Sequence, residues 1–260
     1  MTNTLPEISK RELALLRSLS TRGGRKHSGC CRCEGVRAVR ELLTRAENLV
    51  HFVAGTERGF AAYGEIPANA RLISESVLND ISETVNTQGI MAAAAVPELC
   101  SGKVDGPFIL ALDQLNDPGN FGTIARTFRA IGGRELWYTK GSVDPWCDKA
   151  IRSGMGAQFS LRLRRFEDLK VLVSEAEKLG FGTCFIADPH KGESCFTAPG
   201  LFDHSVVVIG SEANGVTCFP ENARSVIIPM PGDYESLNAA QAATVLLLEH
   251  VRRTTTVTEK

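Results

Sequence analysis

The chain has 260 residues, of which 43% are hydrophobic and 23% charged, and its formal net charge is −1, so it can bury one sizeable core or two smaller ones. It contains no run of about 18 uncharged apolar residues and no basic stretch followed by an apolar one near its start, which argues against a membrane span and a secretory signal. Most of the eight cysteines stand singly in apolar surroundings, as reduced thiols do in cytosolic proteins. We therefore expect a cytoplasmic protein with two domains.

Positive charge is concentrated near the N-terminus. Residues 1–40 contain nine Lys and Arg against three Glu, an excess of six, which leaves −7 on the other 220 residues because the total is −1. A basic end on an otherwise acidic chain suits the phosphates of a nucleic acid. A solvated helix face would give the same count, so both interpretations stay open.

The first hundred residues alternate helical and strand-like patterns, which indicates a small α/β domain. Leucines at helical spacing predict the first helix, and glycines with basic residues should end it. The predicted elements are a helix over 9–20 ended by 22–27, a strand over 30–33, a turn at Glu34 and Gly35, a helix over 36–43, a strand over 49–54, a helix over 74–84 and an apolar segment over 89–96.

A segment rich in proline, glycine and serine over 97–107 predicts a linker, and we place the domain boundary near residue 103. The two domains are then 1–103 and 104–260. In the second, short apolar strands alternate with helices, which is typical of a parallel sheet with helices on both faces. The pattern predicts strands over 108–112, 135–139, 182–187, 205–209 and 226–228, and helices over 121–131, 166–179 and 238–253.

A polar motif follows the first of these strands. An Asp-Pro-Gly turn occupies 117–119, and Asn120 is predicted to cap the helix after it. Arg126 points away from the apolar stripe of that helix. The helix begins at the carboxyl edge of the sheet, where open α/β folds bind ligands. We therefore interpret Asn120 and Arg126 as site residues, with an ordinary surface arginine as the alternative for Arg126.

Two further polar motifs also follow apolar strands. Gly210 and Gly215 bracket a loop in which Glu212 is the only charge, and the missing Cβ atoms let a ligand approach the backbone. After the last strand, Ile-Pro-Met over 228–230 precedes Ser236, which we predict to cap the final helix. That helix is apolar almost all round, so we expect it to be buried on several sides.

In this order, the three motifs resemble the signature of the SpoU/TrmH family of SPOUT RNA ribose methyltransferases, over residues 107–250. The segment 141–157 also looks like the family's connecting segment. The resemblance implies a SPOUT α/β-knot, a mostly parallel sheet with helices on both faces whose C-terminal part is threaded as a deep trefoil knot. It also implies that 1–103 is a ribosomal-protein-like α/β domain that recognises RNA and that 104–260 is the catalytic domain.

The resemblance further implies an enzyme that transfers a methyl group from S-adenosyl-L-methionine to a ribose 2′-hydroxyl in structured RNA. A homodimer through the face of the knot would complete each catalytic site. Ribosomal RNA is favoured over tRNA, because a separate N-terminal domain is more usual with ribosomal targets. The implied cofactor-binding positions are Gly210, Ile228 and Leu237, and the implied catalytic positions are Asn120, Arg126, Glu212, Ser236 and Asn238.

The resemblance points to Arg126 as the base, but a guanidinium normally stays protonated. Arg126 is therefore better suited to bind the adjacent phosphate and to polarise the hydroxyl. Glu212 and Asn120 would orient it, while Ser236 and Asn238 would hold the ribose or the methionine end of the cofactor. The sequence leaves open whether Arg126 is the base or a positioning group.

Several alternatives compete with this interpretation. A metal site is suggested by His27, Cys30, Cys31 and Cys33, in which Cys30 and Cys33 form a C-x-x-C pair. Structural zinc usually needs a second cysteine pair and none with this spacing occurs, so we predict no metal. The segment 154–159 echoes a dinucleotide fingerprint but lacks its last glycine. An RNA-binding protein of the same fold that has lost catalysis, or a methyltransferase acting on a base nitrogen, remains an alternative function.

Overall fold

The computed structural model describes residues 5–212, 214–232 and 236–255. The chain packs into two compact units. Residues 144–160, which the sequence pattern places in the domain 104–260, pack with the N-terminal residues instead. Unit 1 comprises Met1–Glu98 and Asp144–Ser160, and unit 2 comprises Leu99–Val143 and Leu161–Lys260. No helix within the described residues is long and apolar enough to span a membrane.

Unit 1 is an α/β structure, as its sequence pattern predicts. Its strands are β1 (Cys30–Glu34), β2 (Val50–Gly55), β3 (Ala70–Leu72) and β4 (Ile90–Ala95), and its helices are α1 (Lys10–Ser18), α2 (Arg22–Ser28), α3 (Val36–Ala46), α4 (Glu57–Tyr63), α5 (Glu75–Ile81) and α7 (Asp148–Gly154). The strands form one sheet in the order β1-β4-β2-β3. β4 runs antiparallel to both of its neighbours, and β3 runs parallel to β2.

The core of unit 1 joins this sheet to α1 and α5. Leu16 of α1 and Leu78 of α5 pack in one apolar cluster with Phe52 of β2 and Met91 of β4. Side chains alternate across a strand, so apolar residues two apart on these strands reach the same helices. The leucines whose spacing predicts the first helix are therefore the residues that pack it against the sheet.

The helices of unit 1 differ from the prediction near residue 20. α1 ends at Ser18, and a second helix forms where the sequence predicts only a helix end. Thr21 caps α2 by accepting a hydrogen bond from the Gly24 backbone N at 3.0 Å, and Gly29 closes it with φ of 65°. A threonine cap and a left-handed glycine are strong local signals, and they override the two glycines within the helix.

Two of the basic residues near the N-terminus are buried inside unit 1, where they form ion pairs. Arg25 is buried, and its Nε lies 2.8 Å from Oδ2 of Asp144. Arg32 is only 1% exposed and forms an ion pair with Asp148. Both acidic partners belong to the segment 144–160, which explains why this segment packs with unit 1. The positive charge left for a nucleic acid is smaller than the sequence count suggests.

Unit 2 is built around a parallel sheet. Its strands are β5 (Phe108–Leu112), β6 (Glu135–Thr139), β7 (Arg162–Phe166), β8 (Thr183–Ala187), β9 (Glu193–Ser194), β10 (Ser205–Ile209) and β11 (Ala223–Ile227), and its helices are α6 (Pro118–Ala130), α8 (Leu169–Lys178) and α9 (Ala239–Thr254). The strand order is β7-β6-β5-β10-β8-β11-β9, and each neighbouring pair is parallel.

Helices cover both faces of this sheet. On one face, Ile109 of β5 packs in a cluster with Leu172 of α8. On the other, the Phe108 ring lies 5.7 Å from Phe128 of α6 and 4.9 Å from His250 of α9, measured between ring centroids. Neighbouring residues of this buried strand thus pack against helices on opposite faces of the sheet. The predicted α/β class with a mostly parallel sheet is confirmed, and the knotted threading stays a prediction.

The region around Phe166 differs from the prediction. The sequence pattern predicts a helix over 166–179, whereas Phe166 ends β7 and the helix begins at Leu169, capped by Asp168. β7 is rich in arginine and gives no apolar signal. Its Arg164 is nevertheless buried, because the guanidinium pairs with Glu135, which is itself fully buried in β6.

The final helix is less enclosed by its own chain than its composition suggests. Leu248 of α9 is 54% exposed. Its neighbour Glu249 is buried and accepts hydrogen bonds from Arg252 and Arg253. These bonds lower the pKa of the Glu249 carboxyl to about 2, against an opposing effect of burial.

This carboxylate should make stability depend on pH. Its folded pKa lies below the unfolded value, so it stabilises the fold above pH 4.5 and loses this effect as the pH falls towards 2. We expect Glu249→Gln to lower the urea midpoint at pH 7, with the two proteins converging near pH 2. Glu175→Gln, which removes an exposed partner of Lys178, is the control and should change little. An equal loss at every pH for Glu249→Gln would contradict the prediction.

Candidate active site

The start of α6 fixes the position of Asn120. Asp117, and not Asn120 as predicted, is the N-cap, because its side chain accepts a hydrogen bond from the Asn120 backbone N at 2.8 Å. Pro118 occupies the first helical position, which its fixed φ favours. The Asp-Pro pair is the sequence signal that identifies this cap. Because Asp117 supplies the cap, the Asn120 amide is free to make other contacts.

Asn120 connects the other two motifs. Its Nδ2 donates a hydrogen bond to Oε1 of Glu212, and its Oδ1 accepts one from Nδ2 of Asn238 at 3.1 Å. Ninety-two and 118 residues separate these partners along the chain. They meet because the loops after parallel strands emerge at one edge of the sheet. We refer to Asn120, Glu212 and Asn238 as the polar triad.

The loop that carries Glu212 is closed on itself. Ser211 and Gly215 exchange two backbone hydrogen bonds, of 2.8 and 3.0 Å. A Cβ on Gly210 would lie 2.4 Å from the Gly215 carbonyl carbon, a distance that no side chain tolerates. Gly215 itself has φ of 65°, which favours glycine. The two glycines thus serve the shape of the loop as well as access to its backbone.

Asn238, not Ser236 as predicted, caps the final helix. The Asn238 side-chain oxygen accepts hydrogen bonds from the backbone N of Ala240 at 2.9 Å and of Gln241 at 3.4 Å. Its Nδ2 is therefore directed to Asn120. Ser236 is exposed and lies before the helix, and the structure does not bring it into the triad.

Arg126 does not join the polar triad of its own chain. It follows Asn120 by six helical residues, about 9 Å along the axis and on another side of the helix. Its side chain is exposed and forms no hydrogen bond or ion pair with another residue in the described part of the chain. The expected orientation of Arg126 by Glu212 and Asn120 is therefore absent within one chain.

The three predicted cofactor positions suit a ligand held by the backbone. Gly210, Ile228 and Leu237 are all partly buried and stand outside helices and strands. Their peptide groups make no hydrogen bond to another described residue, so N–H and C=O groups are available to a bound molecule. Backbone groups of this kind can bind the polar edges of an adenine or an amino-acid end, which fits S-adenosylmethionine.

The cysteine pair near the N-terminus is poorly arranged for a metal. Cys30 and Cys33 both lie in β1, and side chains three residues apart on a strand point to opposite faces. Burial raises the pKa of the Cys33 thiol well above its usual value, which opposes the thiolate that a metal needs. No group of three or more metal-binding side chains occurs among the residues that the structure describes.

Two family models match the sequence. That of the SpoU rRNA Methylase family matches residues 107–248, more than half of the chain. That of the MRM3-like substrate binding domain matches residues 11–92. The first match contains the polar triad and Arg126, and the second lies within unit 1.

Similar proteins agree with these matches. An uncharacterised tRNA/rRNA methyltransferase of Synechocystis is 30% identical over 92% of this chain and 89% of its own. The 23S rRNA (guanosine(2553)-2′-O)-methyltransferase RlmP of Bacillus subtilis is 28% identical over 82% and 81%. Among solved structures, an RNA methyltransferase of the TrmH family from Porphyromonas gingivalis has a TM-score of 0.79 and 29% identity over 95% of this chain and 99% of its own.

A second solved structure contains the cofactor. The SpoU methyltransferase AviRb from Streptomyces viridochromogenes, in complex with AdoMet, has a TM-score of 0.77 and 24% identity over 95% of this chain and 98% of its own. Its likeness shows the common fold. The family match over 107–248 covers more than half of the chain and identifies it as a member of the SpoU rRNA methylase family of RNA methyltransferases, whose cofactor is S-adenosyl-L-methionine.

Proposed function

We propose that the protein transfers a methyl group from S-adenosylmethionine to a ribose 2′-hydroxyl in structured RNA, with rRNA favoured over tRNA. The observation that carries this proposal is the polar triad, in which three separate motifs meet at one edge of the sheet. The Bacillus subtilis relative is a 23S rRNA 2′-O-methyltransferase, which supports a ribose oxygen over a base nitrogen as the methyl acceptor.

The triad has one consistent direction of hydrogen bonding. The N-terminus of α9 fixes the Asn238 oxygen, so its Nδ2 donates to Asn120, and the Nδ2 of Asn120 donates to Glu212. Each amide is thereby held in one orientation. When bound, S-adenosylmethionine supplies an electrophilic methyl group, and Gly210, Ile228 and Leu237 would hold it. The triad then keeps the glycine loop and α9 in place around the reacting groups, which is the positioning that such a transfer requires.

Arg126 completes the site in this proposal, and it comes from a partner subunit. It is exposed on α6 and points away from the triad of its own chain, while Leu248 of the adjacent α9 leaves apolar surface uncovered. A homodimer through α6 and α9 would bury this surface and bring Arg126 to the partner's triad. There its guanidinium would bind the phosphate next to the target ribose and polarise the hydroxyl.

Unit 1 would recognise the RNA. The match of residues 11–92 to a substrate binding domain supports this role, and basic side chains remain on its surface after Arg25 and Arg32 are set aside. The exposed residues are Lys10, Arg11, Arg17, Arg22, Lys26, Arg37 and Arg40. We propose a cytoplasmic location for this reaction, supported by the absence of any disulfide among the cysteines, all of which are free.

The product distinguishes the competing functions. The protein would be incubated with S-adenosylmethionine carrying a labelled methyl group and with total rRNA or tRNA, and the RNA would be cleaved in alkali. A 2′-O-methyl group blocks attack by that oxygen on the adjacent phosphate, so the expected label appears in dinucleotides. Label in mononucleotides would identify a methylated base instead. An unlabelled product, with both RNAs bound, would identify an RNA-binding protein without catalysis.

Asn238 has two roles that substitutions can separate. Asn238→Ala removes the helix cap and should lower the free energy of unfolding by about 1 kcal/mol. Asn238→Asp keeps the cap, since a carboxylate oxygen accepts the same hydrogen bonds at a helix N-terminus, but it cannot donate to Asn120. We expect both variants to lose methyl transfer and only Asn238→Ala to lose stability in urea. Full activity of Asn238→Asp would show that its bond to Asn120 is dispensable.

A further inference from the structure

Asp113 is a fully buried carboxylate immediately after β5. Its Oδ1 accepts a hydrogen bond from the Thr139 hydroxyl at 2.7 Å. Its Oδ2 accepts one from the backbone N of Thr217 at 2.6 Å and one from the Thr217 hydroxyl at 2.8 Å. Nothing in the polar triad or at the three cofactor positions uses this group.

These bonds join three segments of unit 2. Thr139 ends β6, and Thr217 lies two residues after Gly215, the closing glycine of the loop that carries Glu212. The backbone N of Asp113 also donates to the Ile209 carbonyl, at 2.9 Å, next to the opening glycine. One residue therefore contacts the chain on both sides of the loop 210–215.

A buried carboxylate is costly unless donors surround it. Asp113 has three side-chain hydrogen bonds and no ion pair with another described residue, so its charge is balanced by hydroxyl and peptide donors alone. Bonds to an ionised acceptor are stronger than neutral ones. The bonds from Thr217 therefore constrain the exit of the loop more firmly than an ordinary turn would.

We propose that Asp113 is a positioning residue for the cofactor. Through Thr217 it holds the loop 210–215 against the carboxyl edge of the sheet, so that the Gly210 peptide lines the cofactor site and Glu212 meets Asn120. The proposal rests on the proposed function, because it assigns the loop to S-adenosylmethionine.

Two substitutions separate the loop side of Asp113 from its sheet side. Thr217→Val removes one hydroxyl bond on the loop side and keeps the backbone bond. Thr139→Val is the matched control on the sheet side, and it is the harsher change, since the Thr139 hydroxyl also accepts from the Gln114 backbone N. Asp113→Ala is less informative, because it would remove the acceptor on the loop side and the acceptor on the sheet side together.

Calorimetric titration with S-adenosylmethionine, without RNA, gives the decisive comparison. We expect Thr217→Val to raise the Kd by about tenfold, as loss of a bond to a charged group does. Thr139→Val should lower the melting temperature at least as much but change the Kd by less than about threefold. An unchanged Kd for Thr217→Val, or equal increases for both variants, would overturn the proposal. If the wild-type protein binds the cofactor but methylates no ribose, the proposed reaction is wrong and the role of Asp113 is still decided by this comparison.

Discussion

Replacing Arg126 with alanine should reduce kcat for methyl transfer by about a thousandfold, because loss of one charged or hydrogen-bonding group at the reacting centre has effects of this size. The Kd for S-adenosylmethionine should stay within about twofold of the wild-type value, since the proposed cofactor positions Gly210, Ile228 and Leu237 lie on other segments. Initial rates with RNA and calorimetry with the cofactor measure the two quantities. Arg126→Lys keeps the charge but not the planar fork and should recover only part of the rate. Full activity of Arg126→Ala would remove this residue from the mechanism.

Mixing inactive subunits tests where Arg126 acts. If each site combines the triad of one chain with Arg126 of the partner subunit, a dimer of Arg126→Ala with Glu212→Ala contains one intact site. Random exchange of equal amounts of the two variants makes half of the dimers mixed. Each mixed dimer has one intact site of two, so about a quarter of the wild-type activity should return. Asn120→Ala mixed with Glu212→Ala is the matched control, because both residues belong to one triad and no site is restored. Recovery in neither mixture would place Arg126 and the triad in the same chain.

The convergence of the three motifs could be predicted from the sequence for a simple reason. Each motif follows an apolar strand, and the carboxyl ends of parallel strands lie at one edge. Asn120, Glu212 and Asn238 therefore had to emerge near one another. Arg126 could not be placed in this way, because it lies on another side of the same helix, and in our proposal it acts with the triad of a partner subunit.

Side-chain details at the helix starts were harder to predict. Asn120 and Ser236 are good capping residues by type, yet Asp117 and Asn238 take these positions. Asn120 lies three residues after Asp117 and Ser236 lies two residues before Asn238, so the residue at which each helix begins decides which of the two candidates caps it. The choice of cap matters for the triad, because the side chain that does not cap Pro118–Ala130 is the one that binds Glu212.

Ion pairs between residues far apart in the sequence are a part of the fold that the composition does not predict. Arg25 and Arg32 count as basic residues in a sequence, and only the structure shows that they are buried against Asp144 and Asp148. The spacing of apolar residues cannot predict a contact such as that of Arg32 with Asp148, which are 116 residues apart in the sequence. Because of these contacts, the segment 144–160 packs in unit 1 and not with the rest of the predicted domain 104–260.

Breaking the Arg32 pair should therefore have a large effect on stability. Besides Asp148, the guanidinium of Arg32 donates to the Leu16 and Ile81 carbonyls, and Glu83 lies 3.7 Å away but is 40% exposed. Asp148→Asn keeps the shape of the side chain but leaves a buried cation without its main counter-charge. Removal of one partner from such a pair costs about 3–5 kcal/mol, and Glu83 should keep the loss near the lower figure.

The positions of the two tryptophans allow the stability of unit 1 to be measured separately from that of unit 2. Trp146 is buried in unit 1 and Trp137 in unit 2, so in a Trp137→Phe background the fluorescence reports the unfolding of unit 1 alone. We expect Asp148→Asn to shift that transition to much lower urea. Asp80→Asn, which breaks the exposed pair of Asp80 with Arg17, should cost less than about 1 kcal/mol. Similar shifts for the two variants would mean that Arg32 is compensated by other groups, and that the ion pair with Asp148 does not hold 144–160 in unit 1.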